Sequence, residues 1–338
     1  MNSWNYVKNL QNGWNLGNTL DCRASKENPT PQEQETAWFN PITTEPMIKA
    51  IKDMGFKILR VPVTWSWQFN KQTYKINAEW MKRVNDVVDY GINNDMTVIL
   101  NLHHENWQFP SEENYPTAKK ILISLWQQIA DNFKKYENNL IFEAMNEPRK
   151  EGTPHEWNGG DEEGRNVVMK LNQHFVDTVR ATGGNNKTRM LMVPSYAASG
   201  DEAAIKDFKM PNGENLIMSI HAYTPNDFAL SDDYSQNMWT QEQEHIIDEL
   251  FERINKYFLS KNIPVIMGEC GARKKGDNEK DRANWAKYYT KKAKEYGVPC
   301  LWWDNGRITE WEEKGEIFGI LNRKELKCEY PLIVKDFL

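Results

Sequence analysis

The chain has 338 residues, with 42 basic and 48 acidic side chains and a formal net charge of −6. Because the charges are interspersed, the sequence lacks the basic surface of a nucleic-acid or anionic-membrane binder, and no nucleic-acid or membrane partner is expected. No segment approaches the length of a membrane span, and a neutral substrate is favoured.

Eight apolar, strand-like segments recur along the chain with helical segments between them. The predicted strands cover residues 13–17, 58–63, 97–104, 140–148, 189–195, 216–223, 264–271 and 299–305. The predicted helices cover residues 45–54, 79–94, 117–136, 164–181, 241–260 and 281–296, with weaker ones at 201–207 and 332–338. Alternating strands and helices predict a parallel sheet covered on both faces, and eight such units close into a (β/α)8 TIM barrel.

The segments between these elements show no sign of a second domain. No Pro/Gly/Ser-rich linker or low-complexity run divides the chain, so residues 1–338 are predicted to form a single domain. Polar stretches at residues 21–43 and 151–161 are predicted to be loops on the barrel rim. The four cysteines are too few and too scattered for a disulfide framework and are expected to be reduced core thiols.

Polar and titratable residues cluster at the carboxyl ends of the predicted strands, where α/β barrels build active sites. Two glutamates, Glu147 and Glu269, each end an apolar run. The other strand ends contribute Arg60, His103, His104, Asn146, His221, Tyr223, Trp302 and Trp303. A lone glutamate after a strand is more often a helix cap or a rim charge, so the coincidence of both with the other strand ends is what indicates a site.

A pair of carboxyl groups suits glycoside hydrolysis, in which one protonates the departing oxygen and the other attacks the anomeric carbon or activates water. Glu147 is predicted to carry the proton beside Asn146, whose amide could bond a sugar 2-hydroxyl. Glu269 is predicted to be held ionised by Arg60 and the Tyr223 hydroxyl. The histidines are expected to position Glu147 and tune its proton uptake.

The run His103-His104-Glu105 can also be interpreted as a set of metal ligands. Because consecutive strand residues point to opposite faces, at most one of the two histidines is expected to face the barrel axis, and further ligands are missing from the pattern. No metal site is predicted. The chain has no P-loop, GxGxxG fingerprint or GxSxG elbow, so no cofactor is expected and serine hydrolase chemistry is disfavoured.

The chain contains 14 tryptophans, and several lie in polar, loop-like surroundings. These are Trp38, Trp67, Trp107, Trp157, Trp239 and Trp311. Flat aromatic faces in a cleft can hold the apolar faces of sugar rings. For any single one of them, an ordinary packing role is equally compatible with the sequence.

Seven motifs follow one another along the chain: GWNLGNTLD, LRVPVTW, NLHHENW, FEAMNEPR, SIHAYTP, VIMGECGA and LWWDNG. In this order they resemble glycoside hydrolase family 5 (cellulase family A), most closely its endo-β-1,4-glucanase and xyloglucanase branch. The resemblance covers nearly the whole chain, and every predicted strand end except the fifth carries a motif. Arg149, directly after the NEP motif, stands at a position that varies in the family and has no interpretation from the sequence.

The resemblance implies retaining, double-displacement hydrolysis of internal β-1,4-glucosidic bonds in cellulose, mixed-linkage glucan or xyloglucan, with Glu147 as acid/base and Glu269 as nucleophile. The surrounding positions of the family correspond to Arg60, His103, Asn146, His221, Tyr223 and one tryptophan of the pair at 302 and 303. Trp303 is favoured as the sugar platform, because strand alternation lets only one of the pair face inward. The neighbouring His104 is expected to reach the site from the strand edge, and Asn18, Trp38 and Trp107 to line the glycone subsites.

Two kinds of rival stay open at this point. A β-mannanase or xylanase on the same barrel would share both glutamates, and a non-catalytic carbohydrate-binding barrel is a second alternative. The protein is expected to be a monomer. Because polymeric glucan lies outside cells, secretion is expected, with the signal peptide absent from this chain, while a cytoplasmic location is left open.

Overall fold

The computed structural model describes residues 2–309 and 316–338, and its centre is a closed barrel of eight parallel strands in sequence order. The strands are β1 Gly13–Leu16, β2 Ile58–Val61, β3 Thr97–Asn101, β4 Leu140–Glu143, β5 Leu191–Ser199, β6 Leu216–His221, β7 Val265–Cys270 and β8 Cys300–Asp304. Strand β8 pairs with β1 and closes the ring. The predicted (β/α)8 barrel is therefore confirmed, with all eight strands in the expected order.

The helices lie outside this ring of strands. They are α1 Ser3–Lys8, α2 Pro31–Glu35, α3 Glu45–Asp53, α4 Ala78–Asn93, α5 Tyr115–Phe133, α6 Glu162–Ala181, α7 Glu202–Ile205, α8 Asn226–Ala229, α9 Glu244–Tyr257, α10 Glu279–Glu295 and α11 Pro331–Phe337. Short 3-10 turns cover Asn106–Gln108, Gly184–Lys187, Gln241–Gln243 and Leu259–Lys261. Among the described helices, none combines the length and apolar character needed to cross a bilayer.

Helix α4 shows how the sequence produces this layer. The Asn77 side chain caps its start by accepting the backbone N–H of Glu79, and valines on one face of the helix are buried against the barrel. Gly91 lies on the same face, where a Cβ atom would come within 2.5 Å of Val98. The missing side chain therefore allows the helix to approach β3 closely.

Several local features differ from the sequence expectation. Strands β2, β3, β4 and β6 end two to five residues earlier than predicted, so site residues that were placed on strands lie in the loops that follow. Helix α1 and a short hairpin of β9 Leu321–Asn322 and β10 Lys327–Cys328 were not expected. The predicted loop at residues 21–43 contains α2, which starts with a capping box formed by Thr30 and Glu33.

The barrel interior is layered by the two-residue repeat of its strands. An apolar cluster fills one end, and it contains Val7, Ile58, Ile99, Ile141, Met190, Met192, Ile217, Ile266 and Leu301. Two positions further along four of these strands stand polar residues, namely Arg60, Asn101, Glu143 and Ser219, all fully buried. The interior thus changes from apolar to polar toward the carboxyl ends of the strands.

Candidate active site

Arg60, on β2, is the centre of the polar layer. It is fully buried, and its guanidinium donates to Glu143 Oε2 at 2.7 Å, Asn15 Oδ1 at 2.9 Å, Glu269 Oε1 at 2.7 Å and Asn146 Oδ1 at 2.7 Å. Burial alone would lower the pKa of Arg60, but the charges of Glu143 and Glu269 outweigh it and raise that pKa. The side chain is therefore a fixed cation that orients four partners.

Glu143, the last residue of β4, is a third carboxylate that the sequence reasoning missed. Its carboxylate accepts hydrogen bonds from Arg60, from Asn101 Nδ2 at 3.1 Å and from Ser219 Oγ at 2.6 Å. Burial would raise the pKa of Glu143, yet the charge of Arg60 and the contact with His221 lower it to about 2. A polar residue inside an apolar strand run, as in LIFE, was the available signal for this group.

Glu269 lies in β7 and contacts both donors that were predicted for it. Its Oε1 accepts from Arg60 at 2.7 Å, and its Oε2 accepts from the Tyr223 hydroxyl at 2.8 Å. The residue is 4% exposed. Burial raises the pKa of Tyr223 well above its usual value, and the charge of Glu269 adds to that, so the phenol stays protonated as a donor.

Glu147 follows the end of β4 and faces Glu269. One carboxylate oxygen of each, together with a ring nitrogen of His221, lie within 4.8 Å of one another. His221 Nδ1 lies 2.9 Å from Glu147 Oε1 and 3.7 Å from Glu269 Oε1. This close approach agrees with retaining glycosidases, whose carboxyl groups lie about 5 to 5.5 Å apart, better than with inverting enzymes, in which they lie roughly 6.5 to 9.5 Å apart.

The three groups titrate together because each faces the charges of the others. Burial would lower the pKa of His221, but Glu269 and the contacts with Glu143 and Glu147 raise it to about 9. Burial likewise would raise the pKa of Glu147, but His221 and then Arg149 lower it. Burial raises the pKa of Glu269, and the charge of Glu147 contributes in the same direction. At neutral pH His221 is therefore a cation between two carboxyl groups.

His103 and His104 both lie beyond the end of β3, so strand alternation does not decide which of them faces the barrel axis. Their rings meet edge to face with centroids 4.4 Å apart. His103 stacks on Trp303 at 5.8 Å with parallel planes, and His104 lies 5.6 Å from Trp38. Burial lowers the pKa of His103 well below its usual value and that of His104 to about 3, so both are neutral.

The two tryptophans of β8 lie on opposite faces of the strand, as strand alternation predicted. Trp302 is fully buried, donates its indole N–H to the Phe318 carbonyl at 2.8 Å and packs against Trp285 on the helix side. Trp303 faces the site, where it stacks with His103. A Cβ atom at Gly17 would approach the Trp303 ring to 2.7 Å, so glycine at that position leaves room for the indole.

The predicted subsite residues are not all in the cleft. Asn18 has φ 55° and holds the β1 loop through its N–H, which donates to Asp21, and its carbonyl, which accepts from Asn40. Trp38 is half-buried beside a cavity of about 210 Å³. Trp107 is a correction: it is 8% exposed, belongs to the main core, and donates to buried Glu105 at 2.8 Å, so the 3-10 turn directs it inward.

The other tryptophans of the polar stretches differ in how exposed they are. Trp67 and Trp239 are half-buried, and Trp239 packs against the core. Trp157 is 60% exposed and lines a cavity of about 440 Å³ together with Glu147, His221 and Tyr223. Trp311 lies outside the described residues. Among the described residues of this group, Trp157 is therefore the tryptophan that exposes a broad face beside the glutamate pair.

Two sets of described residues could present ligand atoms to a metal ion. One is the trio of Glu147, His221 and Glu269, and the other is Asp21, His103 and His104, each with atoms within 4.8 Å of one another. In the second set, Asp21 Oδ1 and Oδ2 already accept the backbone N–H groups of Thr19 and Asn18, at 2.7 and 3.0 Å. The prediction that the protein needs no metal therefore stays a prediction for experiment.

The chain is similar to proteins of known family. Residues 22–308 match the cellulase family, glycosyl hydrolase family 5. The chain is 47% identical to "Endoglucanase B" of Neocallimastix patriciarum and 45% identical to "Endoglucanase A" of Clostridium longisporum, in each case over 98% of its own length. It covers 70% of the first relative and 64% of the second, about two thirds of each.

Solved structures agree over the entire barrel. A GH5-4 broad specificity endoglucanase from Ruminococcus champanellensis with bound cellotriose superposes with a TM-score of 0.96 at 42% identity, covering 100% of this chain and 98% of that one. A family 5 lichenase variant from Caldicellulosiruptor sp. F32 in complex with cellotetraose gives 0.93 at 40% identity, covering 99% and 94%. The chain is a glycoside hydrolase and belongs to glycosyl hydrolase family 5, the cellulase family.

Proposed function

We propose that the protein is a retaining endo-β-1,4-glucanase in which Glu269 is the nucleophile and Glu147 the acid/base. The observation that supports this most directly is the short spacing of the two carboxyl groups, with an oxygen of each inside 4.8 Å. The chain is similar to proteins named endoglucanases at 40 to 47% identity, in line with the same activity.

In the first step, Glu269 attacks the anomeric carbon and forms a glycosyl ester while Glu147 protonates the departing oxygen. Arg60 and Tyr223 hold the Glu269 carboxylate from two directions, which fixes the attacking oxygen. In the second step, Glu147 deprotonates a water molecule, which attacks the anomeric carbon and releases Glu269. The product keeps its β configuration after two inversions.

The proton must be on Glu147 when the substrate is bound. In the structure, His221 lowers the pKa of Glu147, while burial raises the pKa of Glu269. A sugar that covers Glu147 excludes water from its carboxyl group, and desolvation raises the pKa of a carboxylic acid. Substrate binding therefore shifts the shared proton toward the residue that delivers it.

Neighbouring side chains can hold the sugar at the cleavage point. Arg60 binds the Asn146 amide through its oxygen, which leaves the NH2 group to bond the sugar 2-hydroxyl, a contact that strengthens in the transition state. Trp303 offers the flat platform, kept in place by His103. These residues act on a glucose unit whose reducing-end neighbour departs on the side of Glu147.

Two cavities lie beside residues of the site, one at Glu147 and Trp157 and the other at Trp38. Since Glu147 protonates the leaving oxygen, the cavity it shares with Trp157 and Tyr223 takes the departing part of the chain. The cavity between Trp38 and Arg307 takes the glycone part. Among solved relatives are broad specificity endoglucanases and a lichenase, and we propose mixed-linkage glucan, xyloglucan and cellulose chains as substrates.

The roles of the two glutamates are separable by chemical rescue. Glu269→Gly and Glu147→Ala should both lose turnover of cellotetraose, and azide should restore each differently. With azide and an activated aryl cellobioside, the first variant should form the α-glycosyl azide and the second the β-glycosyl azide. The exposed Glu252→Gln serves as a folded control with unchanged activity. Exchanged products, or retained hydrolysis by Glu269→Gly, would contradict the assignment.

Substrate preference is tested by initial rates on lichenan, xyloglucan, carboxymethyl cellulose, mannan and xylan, with product sizes followed over time. Glucans should be cleaved internally, and a faster rate on mannan or xylan would favour the alternative enzymes. We further propose that the protein acts as a monomer outside the cell, because its polymeric substrate lies there. Light scattering on the purified protein tests the first part, and the location of activity in the native host tests the second.

A further inference from the structure

Arg149, which the sequence left without an interpretation, touches both the acid/base glutamate and the cleft wall. Its Nη1 donates to the Glu147 carbonyl at 3.1 Å and lies 3.7 Å from Glu147 Oε2. Its Nε donates to Glu156 Oε1 at 3.1 Å. The guanidinium carbon lies 4.2 Å from the centre of the Trp157 ring. The Arg149 side chain therefore contacts both Glu147 and Trp157, the aromatic residue of the cavity assigned to the departing sugar.

Trp157 depends on such contacts for its orientation. It lies between β4 and α6 in residues 151–161, which form turns and no regular helix or strand. Arg149 covers one face of the indole, while 60% of the residue is exposed. Glu156 ties the same loop to its own backbone by accepting the Gly152 N–H at 2.8 Å. The uncovered face is thus held toward the cavity that the departing sugar would enter.

The charge of Arg149 also acts on the Glu147 carboxyl group. The charged and titratable groups that face Glu147 from other elements are His221 of β6, Glu269 of β7, His104 after β3 and Tyr223 after β6. The charge of Arg149 is partly offset by Glu151, 3.5 Å from its Nη2, and by Glu156. Its side chain is 16% exposed, so solvent screens it only in part.

We propose that Arg149 is a positioning residue that links acid/base catalysis to leaving-group binding. The same guanidinium holds Trp157 against the departing sugar and presents a positive charge to Glu147 as that carboxyl group gives up its proton. This inference rests on the proposed role of Glu147. It requires no new chemical step, since the proton passes from Glu147 to the glycosidic oxygen and Arg149 takes no part in the transfer.

The test uses two substrates that differ in their need for a proton. Cellotetraose needs protonation and places sugar beside Trp157, whereas β-cellobiosyl fluoride has a small leaving group that needs neither. Arg149→Met should lower kcat/KM for cellotetraose by about 2- to 30-fold, the range of a cation–π contact, and leave the fluoride within about twofold. Without the cation, the carboxylate of Glu147 is less stabilised, so the alkaline limb of the kcat/KM profile should move to higher pH.

Two further variants separate this role from simple loosening of the loop. Arg149→Lys keeps the charge, so its alkaline limb should stay near that of the parent while its cellotetraose rate falls. Arg165→Met is the matched control, because Arg165 anchors the same loop by donating to the Gly160 carbonyl at 2.6 Å and carries no contact to Glu147. It should leave the pH profile unchanged.

A double-mutant cycle tests the link to Trp157. The effects of Arg149→Met and Trp157→Ala on cellotetraose should be non-additive, since the two side chains are in contact. Additive effects, an equal loss on the fluoride, or an Arg165→Met variant with the same pH shift would overturn the proposal. Failure of the assigned role of Glu147 is distinguishable, because it would appear in the azide products of Glu147→Ala whatever Arg149 does.

Discussion

Replacing Glu143 by glutamine is the sharpest test of the buried charge network. The carboxylate lies at the centre of the barrel, fully buried, with Arg60 at 2.7 Å, Asn101 at 3.1 Å and Ser219 at 2.6 Å. Glutamine keeps the shape but removes the charge, and its NH2 group cannot accept the bonds that one carboxylate oxygen accepts. Arg60 would then be left with an incompletely paired buried charge on that side.

The magnitude follows from the pKa of the group. Folding lowers the pKa of Glu143 from its ordinary 4.5 to about 2. At about 1.4 kcal/mol for each pH unit, the ionised carboxylate contributes about 3 kcal/mol to the free energy of unfolding at neutral pH. The sign is that of a depressed carboxylate: the contribution is complete above pH 4.5 and is lost as the pH falls toward 2. Near pH 3.5, about 1.4 kcal/mol of it has gone.

Urea unfolding of the parent and of Glu143→Gln at pH 7 and at pH 3.5 measures this directly. The variant should be less stable by about 3 kcal/mol at pH 7, and the difference should shrink at pH 3.5 by about 1.4 kcal/mol. Glu252→Gln, at an exposed position of α9, is the control and should change stability by less than about 0.5 kcal/mol. A loss below about 1 kcal/mol, or one that does not vary with pH, would refute the reasoning.

Three more predictions concern the site. Tyr223→Phe removes a hydrogen bond that favours ionised Glu269, so the acidic limb of the kcat/KM profile should move to higher pH and kcat/KM should fall about tenfold; an unchanged limb would contradict this. Gly17→Ala places a Cβ atom 2.7 Å from the Trp303 ring and should lower the unfolding free energy by about 1 to 3 kcal/mol in urea titrations, with weaker binding of cellotriose by calorimetry. Dialysis against EDTA should leave activity on lichenan unchanged, and a loss restored by added metal would show that the metal-free prediction is wrong.

The sequence predicted the barrel well because its signals are physical and local. Each strand is an apolar run, each major helix has one apolar face, and only a limited set of connections joins eight such units. The predicted ends of the strands were less accurate, because apolar residues continue beyond the last residue that pairs regularly with a neighbouring strand. The backbone N–H of Asn146 still bonds the Leu102 carbonyl at 2.8 Å, although both residues lie beyond their strands.

The residues missed in the site have a common reason. Each of them is a single polar residue inside an apolar strand run, which in the sequence does not indicate a site. Only the closed barrel brings them together around Arg60; they are Asn15, Asn101, Glu143 and Ser219. The prediction for Trp107 was wrong in the opposite direction, because it assigned a core residue to the site. Its polar neighbours suggested a loop at the cleft, but Glu105 turns inward to accept the indole N–H, together with the backbone N–H of Trp65, and takes the tryptophan into the core.

The charges of the site stay balanced through the proposed reaction. Two buried carboxyl groups, Glu143 and Glu269, and the partly buried Glu147 face two buried cations, Arg60 and His221. The third cation near Glu147, Arg149, is offset by its own partners Glu151 and Glu156. With the proton on Glu147, two carboxylates balance two cations. In the proposed mechanism, Glu269 loses its charge when it forms the glycosyl ester, and Glu147 gains one by giving up the proton, so the balance is unchanged. His221 lies within 4 Å of both oxygens, at 2.9 and 3.7 Å, and therefore stabilises the negative charge before and after it moves. Loss of the His221 charge at alkaline pH should consequently slow both steps.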